Sequence, residues 1–403
     1  MTTSIDAQYQ QYLNAGLTLD LTRGKPCSDQ LDLSDTLEDM IGGNFKTADG
    51  IDVRNYGGLL GIPEARALGG ALLDVDPKYI MAGGNSSLTL MYQFLVWRLK
   101  AWQADDPAQT FKFICVVPGY DRHFTICEHL GIEMVSVGFD SNGPNLTDIE
   151  ALVRQDQTIK GIWCVPKHSN PTGHTYSDET VARLANLPSL ASKDFILMWD
   201  NAYAAHDLDP QARPLSNIMA YAQAVQTADH IALFASTSKI TFAGAGLAFC
   251  GLSEPMLKGF ETFLTPQMIG FDKVNQLRHA RLLSGKDDIA KHMAAHRAIL
   301  EPKFRRVQEK LRPLADAGLA TWSQPGGGYF VSLDLKIASA TRVIALADAA
   351  GVKLTPAGAT FPYGRDPEDK NIRIAPSFPD MIALDQALDV LVCCIVKASE
   401  INH

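Results

Sequence analysis

The residue of this sequence best suited to covalent chemistry is a lysine that closely follows an apolar run. Lys239 ends the segment Ser236–Lys239, which comes directly after the strand-like run Ile231–Ala235. A lysine at the carboxyl end of a buried strand is partly desolvated, and desolvation lowers the amine pKa toward the neutral form that attacks a carbonyl. Most lysines are simply exposed. The position of Lys239 nevertheless favours a Schiff-base residue.

A carboxylate follows a second apolar run in the same way. Asp200 comes directly after Phe195–Trp199. A buried carboxylate paired with a pyridine nitrogen keeps that nitrogen protonated, which a pyridine ring needs in order to act as an electron sink. The alternative is that Asp200 caps the next helix, a position that Asp favours.

A turn segment and a tyrosine add hydrogen-bonding groups. Ser169–Gly173 follows the run Gly161–Pro166, and its Asn-Pro and Thr-Gly steps are typical of turns in any protein. The amide of Asn170 and the hydroxyl of Tyr203 could instead share a cofactor's phenolic oxygen and tune a Schiff-base pKa.

A glycine-rich segment opens a predicted helix. Gly84, Asn85 and Ser86 precede apolar residues that recur at steps of three and four, namely Leu88, Met91, Leu95 and Leu99. Free N–H groups at such a helix start favour a phosphate, and the hydroxyls of Ser86 and Ser236 could assist. An ordinary helix N-cap is the alternative.

An aromatic residue and a late arginine complete the candidates. Tyr120 lies just past the run Phe113–Val117, where its ring could stack on a pyridine or could be an ordinary core or surface side chain. Arg373 interrupts an apolar alternation, and its guanidinium suits bidentate capture of a carboxylate. An edge-strand arginine that faces water is the alternative.

These residues require a scaffold of alternating strands and helices. Between about residues 80 and 255, helix-length segments separate strand-like runs, which are Phe113–Val117, Glu133–Phe139, Gly161–Val165, Phe195–Trp199, Ile231–Ala235 and Leu247–Gly251. The alternation predicts an α/β fold with a mostly parallel sheet between helices and ligands beyond the carboxyl strand ends.

The remainder of the chain predicts a smaller α+β domain. A helical stretch from Lys273 to Leu311 is expected to break into two helices around Ser284-Gly285. Strands are expected near 328–333 and 371–375, with a helix near 341–350. We expect residues 1–50 to join the small domain, 51–285 to form the large domain and 286–403 the small one.

Bulk properties narrow the function classes. The net charge of -9 argues against nucleic acid as a partner, and no apolar run approaches the ~18 residues needed to cross a membrane. The seven cysteines are an odd number and lack metal-ligand spacing, so we expect buried thiols, no metal site and a cytoplasmic location.

In combination and in this order, the motifs resemble class I/II aminotransferases of fold type I, which use pyridoxal 5'-phosphate. The resemblance runs from about residue 20 to 380. It is closest to the type Ic aspartate aminotransferases, through four stretches: Leu21–Pro26, Arg54–Gly58, Lys167–Gly173 and Ser238–Gly244.

The resemblance implies a role for each candidate. Lys239 would hold the cofactor and move a proton, Asp200 would pair with the ring nitrogen, and Asn170 with Tyr203 would hold the phenolic oxygen. The Gly24 backbone and Arg373 would take the substrate α-carboxylate. The other cofactor-binding residues would be Gly84, Asn85, Ser86 and Ser236 for the phosphate, Tyr120 for stacking, and Tyr56 for the phosphate of the neighbouring subunit, which implies a homodimer with shared active sites.

The implied reaction moves the amino group of L-aspartate, or a similar amino acid, to 2-oxoglutarate. Amino acids and 2-oxo acids are therefore the expected substrates. A β-lyase or a decarboxylase on the same cofactor is an alternative. A noncatalytic MocR-like sensor is another, but it would need a basic helix-turn-helix module, whereas the motifs begin near residue 20 and the charge is acidic.

The sequence departs from the family pattern at one point. The family usually has a phosphate-binding arginine seven or eight residues after the lysine, but this chain has Gly244–Leu247 there. Backbone amides or a distant residue such as Lys273 would have to replace it. The residue that recognises a substrate's side-chain carboxylate is also open, with Arg23, Lys25, Arg122, Lys273 and Arg365 as candidates.

Overall fold

The computed structural model describes residues 4–140 and 142–400. Buried β-branched, aromatic and other apolar runs form its longer strands. In chain order the strands are β1 (Leu19–Asp20), β2 (Ile80–Ala82), β3 (Lys112–Val116), β4 (Glu133–Val137), β5 (Phe139–Asp140), β6 (Gly143–Pro144), β7 (Ile159–Cys164), β8 (Ile196–Asp200), β9 (Ile231–Ser236), β10 (Ala248–Gly251), β11 (Ala320–Trp322), β12 (Val331–Leu335), β13 (Val352–Lys353) and β14 (Asn371–Ile374).

Thirteen α-helices are present in the described ranges. They are α1 (Ile5–Asn14), α2 (Ser28–Asp32), α3 (Pro63–Leu73), α4 (Ser87–Asp105), α5 (Asp121–His129), α6 (Leu146–Gln155), α7 (Asp178–Asn186), α8 (Ile218–Ala224), α9 (Glu254–Leu264), α10 (Lys273–Leu282), α11 (Lys286–Asp316), α12 (Ala340–Ala349) and α13 (Met381–Glu400). Short 3-10 turns lie at Asp35–Met40, Pro77–Tyr79, Leu187–Ser189, Ala228–His230 and Pro362–Gly364.

The central sheet has seven strands in the order β2-β10-β9-β8-β7-β3-β4. The pairs from β9 to β4 are parallel, and β10 is antiparallel to both of its neighbours. Successive side chains point to opposite faces, so Leu197 and Trp199 pack with α3, α6, α7 and α8, while Ile196 and Met198 pack with α4, α5 and α9. Burial on both faces explains the continuous apolar runs.

A second core joins the two ends of the chain. Strand β1 pairs with β13 in parallel, and α1 packs against α13. The antiparallel sheet β11-β12-β14 adds its apolar face to the same core, together with Tyr9, Leu21 and the second half of α11. On this packing we propose the three-part division that the sequence predicts, at residues 50 and 285.

The structure confirms the predicted fold class and the six predicted strands of the large sheet. The seventh strand, β2, has only three residues, too few for a visible periodicity. The predicted strand 133–139 is interrupted at Gly138, which separates β4 from β5. The break at Ser284-Gly285 is confirmed, since α10 ends at Leu282 and α11 begins at Lys286.

Candidate active site

A cavity of about 520 Å³ lies beyond the carboxyl ends of β7, β8 and β9. Asp200 is the last residue of β8, and Lys239 follows the end of β9 by three residues. Because β8 and β9 are adjacent and parallel, both side chains reach the same edge of the sheet. The lining residues are Thr22, Arg23, Gly24, Lys25, Tyr120, Asp121, Arg122, Val165, Asn170, Asp200, Ala202, Tyr203, Lys239, Phe330, Thr355, Pro356 and Arg373.

The Lys239 amine lies in a largely desolvated position. Its Nζ is 5.0 Å from the centroid of the Tyr203 ring. Burial lowers the pKa of the Lys239 amine below its ordinary value, although the negative charge of Asp200 acts in the opposite direction. The neutral amine, which is the nucleophilic form, is therefore more populated than for an exposed lysine.

Asp200 has one paired and one unpaired carboxylate oxygen. His123 Nε2 donates to Oδ2 at 3.0 Å, whereas Oδ1 is buried without a hydrogen-bond partner among the described residues. The His123 ring stacks on Trp163 at 4.1 Å and 8°, which fixes its orientation. The helix-cap alternative for Asp200 is wrong, because turns rather than a helix follow it. The free oxygen needs an N–H or O–H donor from a ligand.

Arg373 is buried although its strand β14 lies at a sheet edge. Its Nη1 donates to Asp121 Oδ1 at 3.1 Å and to Asn170 Oδ1 at 3.3 Å, and its Nη2 donates to Thr355 Oγ1 at 3.2 Å. Its Nε is buried without a partner among the described residues. The alternative of an arginine facing water is therefore wrong, and the guanidinium keeps a donor for an anion.

Gly24 and Phe330 close the cavity next to Arg373. The Phe330 ring centroid is 4.9 Å from Arg373 Cζ. A Cβ at residue 24 would lie 2.3 Å from Phe330 Cζ, so only glycine fits against this ring. The Gly24 backbone thus lines the cavity on the side of Arg373.

Tyr120 and Tyr203 keep their phenols protonated. Burial raises the pKa of Tyr120, and the nearby Asp200 carboxylate raises it further. Burial also raises the pKa of Tyr203 well above its ordinary value. Both phenols are therefore hydrogen-bond donors at neutral pH. Tyr120 also makes an edge contact with His123, with ring centroids 5.0 Å apart.

The predicted phosphate residues lie together outside the cavity lining, next to the turn that carries Lys239, where Ser238 Oγ donates to the Asn85 carbonyl at 3.3 Å. Ser86 is the N-cap of α4, and Asn85 Nδ2 donates to the Gly244 carbonyl at 3.0 Å. Ser236 pairs with Ala248 across β9 and β10, and Ala248 N donates to the Gly84 carbonyl at 2.7 Å. The structure therefore brings Gly84, Asn85, Ser86 and Ser236 to one place.

Tyr56, like the four predicted phosphate residues, is absent from the cavity lining. It differs from them in being 80% exposed. Among the candidates for a side-chain carboxylate, Arg23, Lys25 and Arg122 line the cavity, whereas Lys273 and Arg365 do not.

Several cavity residues were not expected from the sequence. His123, Asp121, Phe330 and Thr355 contact Asp200 or Arg373 from distant parts of the chain. His123 has a weak local signal, because it stands three residues after Tyr120 on a helix that starts at a strand end. The other three have no motif that marks them.

The described ranges contain no cluster of His, Cys, Asp and Glu suited to a metal ion. None of the described helices combines the length and apolar character required to cross a bilayer. All seven cysteines are free and buried, which confirms the expectation of buried thiols.

The fold is similar to that of solved aminotransferases. The chain has the fold of the α-aminoadipate aminotransferase of Thermus thermophilus, solved in complex with N-(5'-phosphopyridoxyl)-L-leucine. The TM-score is 0.78 at 18% identity, with 98% of this chain and 96% of that chain covered. The architecture is therefore that of fold type I aminotransferases.

Closer relatives define the family. The family described as aspartate amino-transferase matches residues 1–403. An aspartate aminotransferase of Corynebacterium glutamicum is 42% identical over 405 residues, which cover 98% of this chain and 93% of the relative. A crystal structure of an aspartate transaminase from the same species has a TM-score of 0.94 at 41% identity and covers 99% of this chain and 96% of its own. The chain belongs to the aspartate aminotransferase family and is an aminotransferase. Membership of this family implies pyridoxal 5'-phosphate as the cofactor.

Proposed function

We propose that the protein moves the amino group of L-aspartate to 2-oxoglutarate, with pyridoxal 5'-phosphate held as a Schiff base by Lys239. The observation that carries the proposal is the convergence of three groups in one cavity. These are a desolvated amine at Lys239, an unpaired carboxylate oxygen at Asp200 and a buried guanidinium at Arg373. Amine, ring-nitrogen partner and carboxylate clamp are the groups that transamination requires.

The cavity residues fit this cofactor. The unpaired Asp200 Oδ1 matches a protonated pyridine nitrogen, and His123 holds the carboxylate in place through Oδ2. Once bound, the cofactor supplies an electron sink for a carbanion. Asn170 and Tyr203 would hold its phenolic oxygen, and Tyr120 would cover one ring face. The Lys239 amine would move the substrate's α-proton, because burial favours its neutral form, which can accept a proton.

Positive charge around the cavity favours a dicarboxylic substrate. Besides Arg373, which pairs with Asp121, three further cations line the cavity: Arg23, Lys25 and Arg122. None of these three has an ion pair among the described residues. One carboxylate of the substrate would bind Arg373 and the Gly24 backbone. The second carboxylate would gain from the remaining cations, which an alanine substrate could not use.

Lys273 supplies a cation near the proposed phosphate site. It is 7% exposed and has no hydrogen bond or ion pair within residues 4–140 and 142–400. Its neighbours in sequence contact both loops of that site: Phe271 lies 3.7 Å from where a Cβ of Gly84 would be, and Asn275 Nδ2 donates to the Gly246 carbonyl at 2.8 Å. A mostly buried lysine side chain whose ammonium has no protein partner is well placed to bind an anion. We propose that the cofactor phosphate is its partner.

We propose a homodimer in which Tyr56 reaches the phosphate of the neighbouring subunit. Its 80% exposure in one chain supports a role outside that chain. We also propose a cytoplasmic location for the protein.

Absorption spectra test the reaction and the cofactor together. Addition of L-aspartate alone is expected to remove the absorption band of the lysine-bound cofactor, and 2-oxoglutarate is expected to restore it. Alanine and an aromatic amino acid are expected to react more slowly than aspartate. A band that aspartate never removes would refute transamination, and a protein that binds no pyridoxal 5'-phosphate would refute the cofactor.

Substitution identifies the lysine. Lys239→Ala is expected to abolish turnover, whereas Lys258→Ala on the exposed face of α9 is expected to leave it unchanged. Borohydride reduction followed by peptide mass spectrometry is expected to find the cofactor on Lys239. Turnover by folded Lys239→Ala protein, or a tag on a different lysine, would overturn the assignment.

A further inference from the structure

The backbone carbonyl of Lys239 is held by two buried side chains from different parts of the chain. His206 Nε2 donates to it at 3.1 Å, and the Tyr329 hydroxyl donates to it at 3.2 Å. His206 is 4% exposed and Tyr329 is fully buried. A carbonyl oxygen has two lone pairs, so these two donors saturate it.

The next carbonyl, that of Ile240, is held in the same way by two histidines of α11. His292 Nε2 donates at 2.7 Å and His296 Nε2 at 2.9 Å. Burial, assisted by the neighbouring His292, lowers the pKa of His296 to about 4, so the ring is neutral at neutral pH. The two peptide units at the proposed catalytic lysine therefore have four side-chain donors, an unusual concentration for a loop.

Gln30 sets the direction of the hydrogen bonds in this cluster. Its Nε2 donates to His296 Nδ1 at 2.9 Å and to the Tyr329 hydroxyl oxygen at 2.9 Å. His296 Nδ1 is thus an acceptor, so its proton is on Nε2 and points to Ile240. Tyr329 accepts from Gln30, which leaves its own proton for the Lys239 carbonyl. Gln30 is itself anchored, because its Oε1 accepts from Cys27 N at 3.2 Å.

The same cluster adjoins the carboxylate side of the cavity. Tyr329 is followed by Phe330, whose ring contacts Gly24 and lies 4.9 Å from Arg373 Cζ. The two residues share a peptide unit, so a displacement of the backbone at Phe330 is transmitted to Tyr329. A ligand that displaces the Phe330 backbone by binding Arg373 would therefore also move the Tyr329 hydroxyl at the lysine carbonyl.

We propose that Gln30, Tyr329 and His296 are positioning residues that hold the backbone of Lys239 and couple it to occupancy of the Arg373 carboxylate site. The proposal rests on the proposed function, in which Lys239 carries the cofactor. None of the three side chains lines the cavity, so each would act through the lysine peptide.

The test uses the pH titration of the absorption band of the lysine-bound cofactor, with and without succinate as an unreactive dicarboxylate. Loss of one hydrogen bond at the lysine peptide is expected to move the midpoint by about 0.5 to 1 pH unit in Tyr329→Phe. The shift that succinate causes in the wild type is expected to fall by at least about half, because Phe330 is no longer linked to the carbonyl. The kcat is expected to fall about tenfold while the KM for aspartate stays within about twofold.

Two further variants make the test decisive. Tyr176→Phe is the matched control, because Tyr176 is 1% exposed and lies outside the cavity lining. Gln30→Glu reverses both bonds of Nε2, since a carboxylate oxygen accepts the Tyr329 proton, away from the Lys239 carbonyl, and a proton on His296 Nδ1, which leaves Nε2 without one for the Ile240 carbonyl. It is expected to move the midpoint in the same direction as Tyr329→Phe, and it decides the question if Tyr329→Phe does not fold.

The outcomes separate the two proposals. If wild-type protein carries no cofactor on Lys239, the proposed function fails and the coupling fails with it. If wild-type protein carries it but the variants keep the wild-type midpoint and succinate shift, the positioning role alone is overturned. A shift in Tyr176→Phe equal to that in Tyr329→Phe would also overturn it, because a buried hydroxyl anywhere would then have the same effect.

Discussion

Replacement of Arg373 by lysine tests the carboxylate site most directly. The substitution keeps the positive charge but removes the planar pair of donors that fits a carboxylate. In the structure the guanidinium is 8% exposed and already bonds to Asp121, Asn170 and Thr355, while its Nε has no partner among the described residues. The site is thus preorganised, and an ammonium cannot reproduce its geometry.

The expected loss follows from the number of donors removed. A lysine can keep one contact to the substrate α-carboxylate but loses the second, a charge-assisted bond that contributes about 1.5 to 3 kcal/mol. With about 1.4 kcal/mol for each factor of ten, kcat/KM is expected to fall about 10- to 100-fold. The variant is still expected to bind the cofactor on Lys239, because Arg373 does not hold the cofactor ring.

Steady-state transamination with L-aspartate and with L-alanine is the assay. Both substrates share the α-carboxylate, so both are expected to lose the same factor. Arg66→Lys is the matched control, because that guanidinium donates to the carbonyls of Ile80 and Lys78 away from the cavity. A kcat/KM within about threefold of wild type would refute the role of Arg373. A loss for aspartate alone would assign Arg373 to the side-chain carboxylate instead.

Three further predictions follow from the charges. Asp200→Asn is expected to lower the pKa of the Lys239 amine further, because the Asp200 charge raises it; competitive labelling of cofactor-free protein measures this, and a higher midpoint would contradict it. Burial lowers the pKa of His279 to about 4, so its contribution to folding is complete above the ordinary value of 6.5 and is lost as the pH falls toward 4. The expected loss of unfolding free energy is about 3 kcal/mol. Urea unfolding at neutral and acidic pH is expected to show a smaller loss in His279→Asn than in the wild type, and an equal loss in both proteins would refute the assignment. Lys273→Ala is expected to raise the Kd for pyridoxal 5'-phosphate about 10- to 100-fold, whereas Lys258→Ala is not. An unchanged Kd in Lys273→Ala would indicate that backbone amides, and not Lys273, bind the phosphate.

The fold could be predicted from the sequence because its main elements have local signals. Strands buried on both faces need continuous apolar runs, which β3, β7, β8, β9 and β10 have, while the edge strand β4 shows an alternating pattern of buried and exposed residues instead. The break between α10 and α11 has its own signal at Gly285. Strand β2 was missed because three residues are too few to show a period, and its pairing with β10 is made across the chain.

The features of the site likewise divide into those with a local sequence signal and those that depend on tertiary contacts. Lys239 and Asp200 stand at strand ends, so sequence alone places them at one edge of the sheet. Which oxygen of Asp200 is left unpaired depends on His123, 77 residues away, and the burial of Arg373 on an edge strand depends on Asp121, 252 residues away. Sequence by itself determined which residues are candidates to carry chemistry, because residue type and strand burial are local. Only the tertiary structure decided which partners saturate them, because those contacts depend on strand order and on how the two ends of the chain pack together.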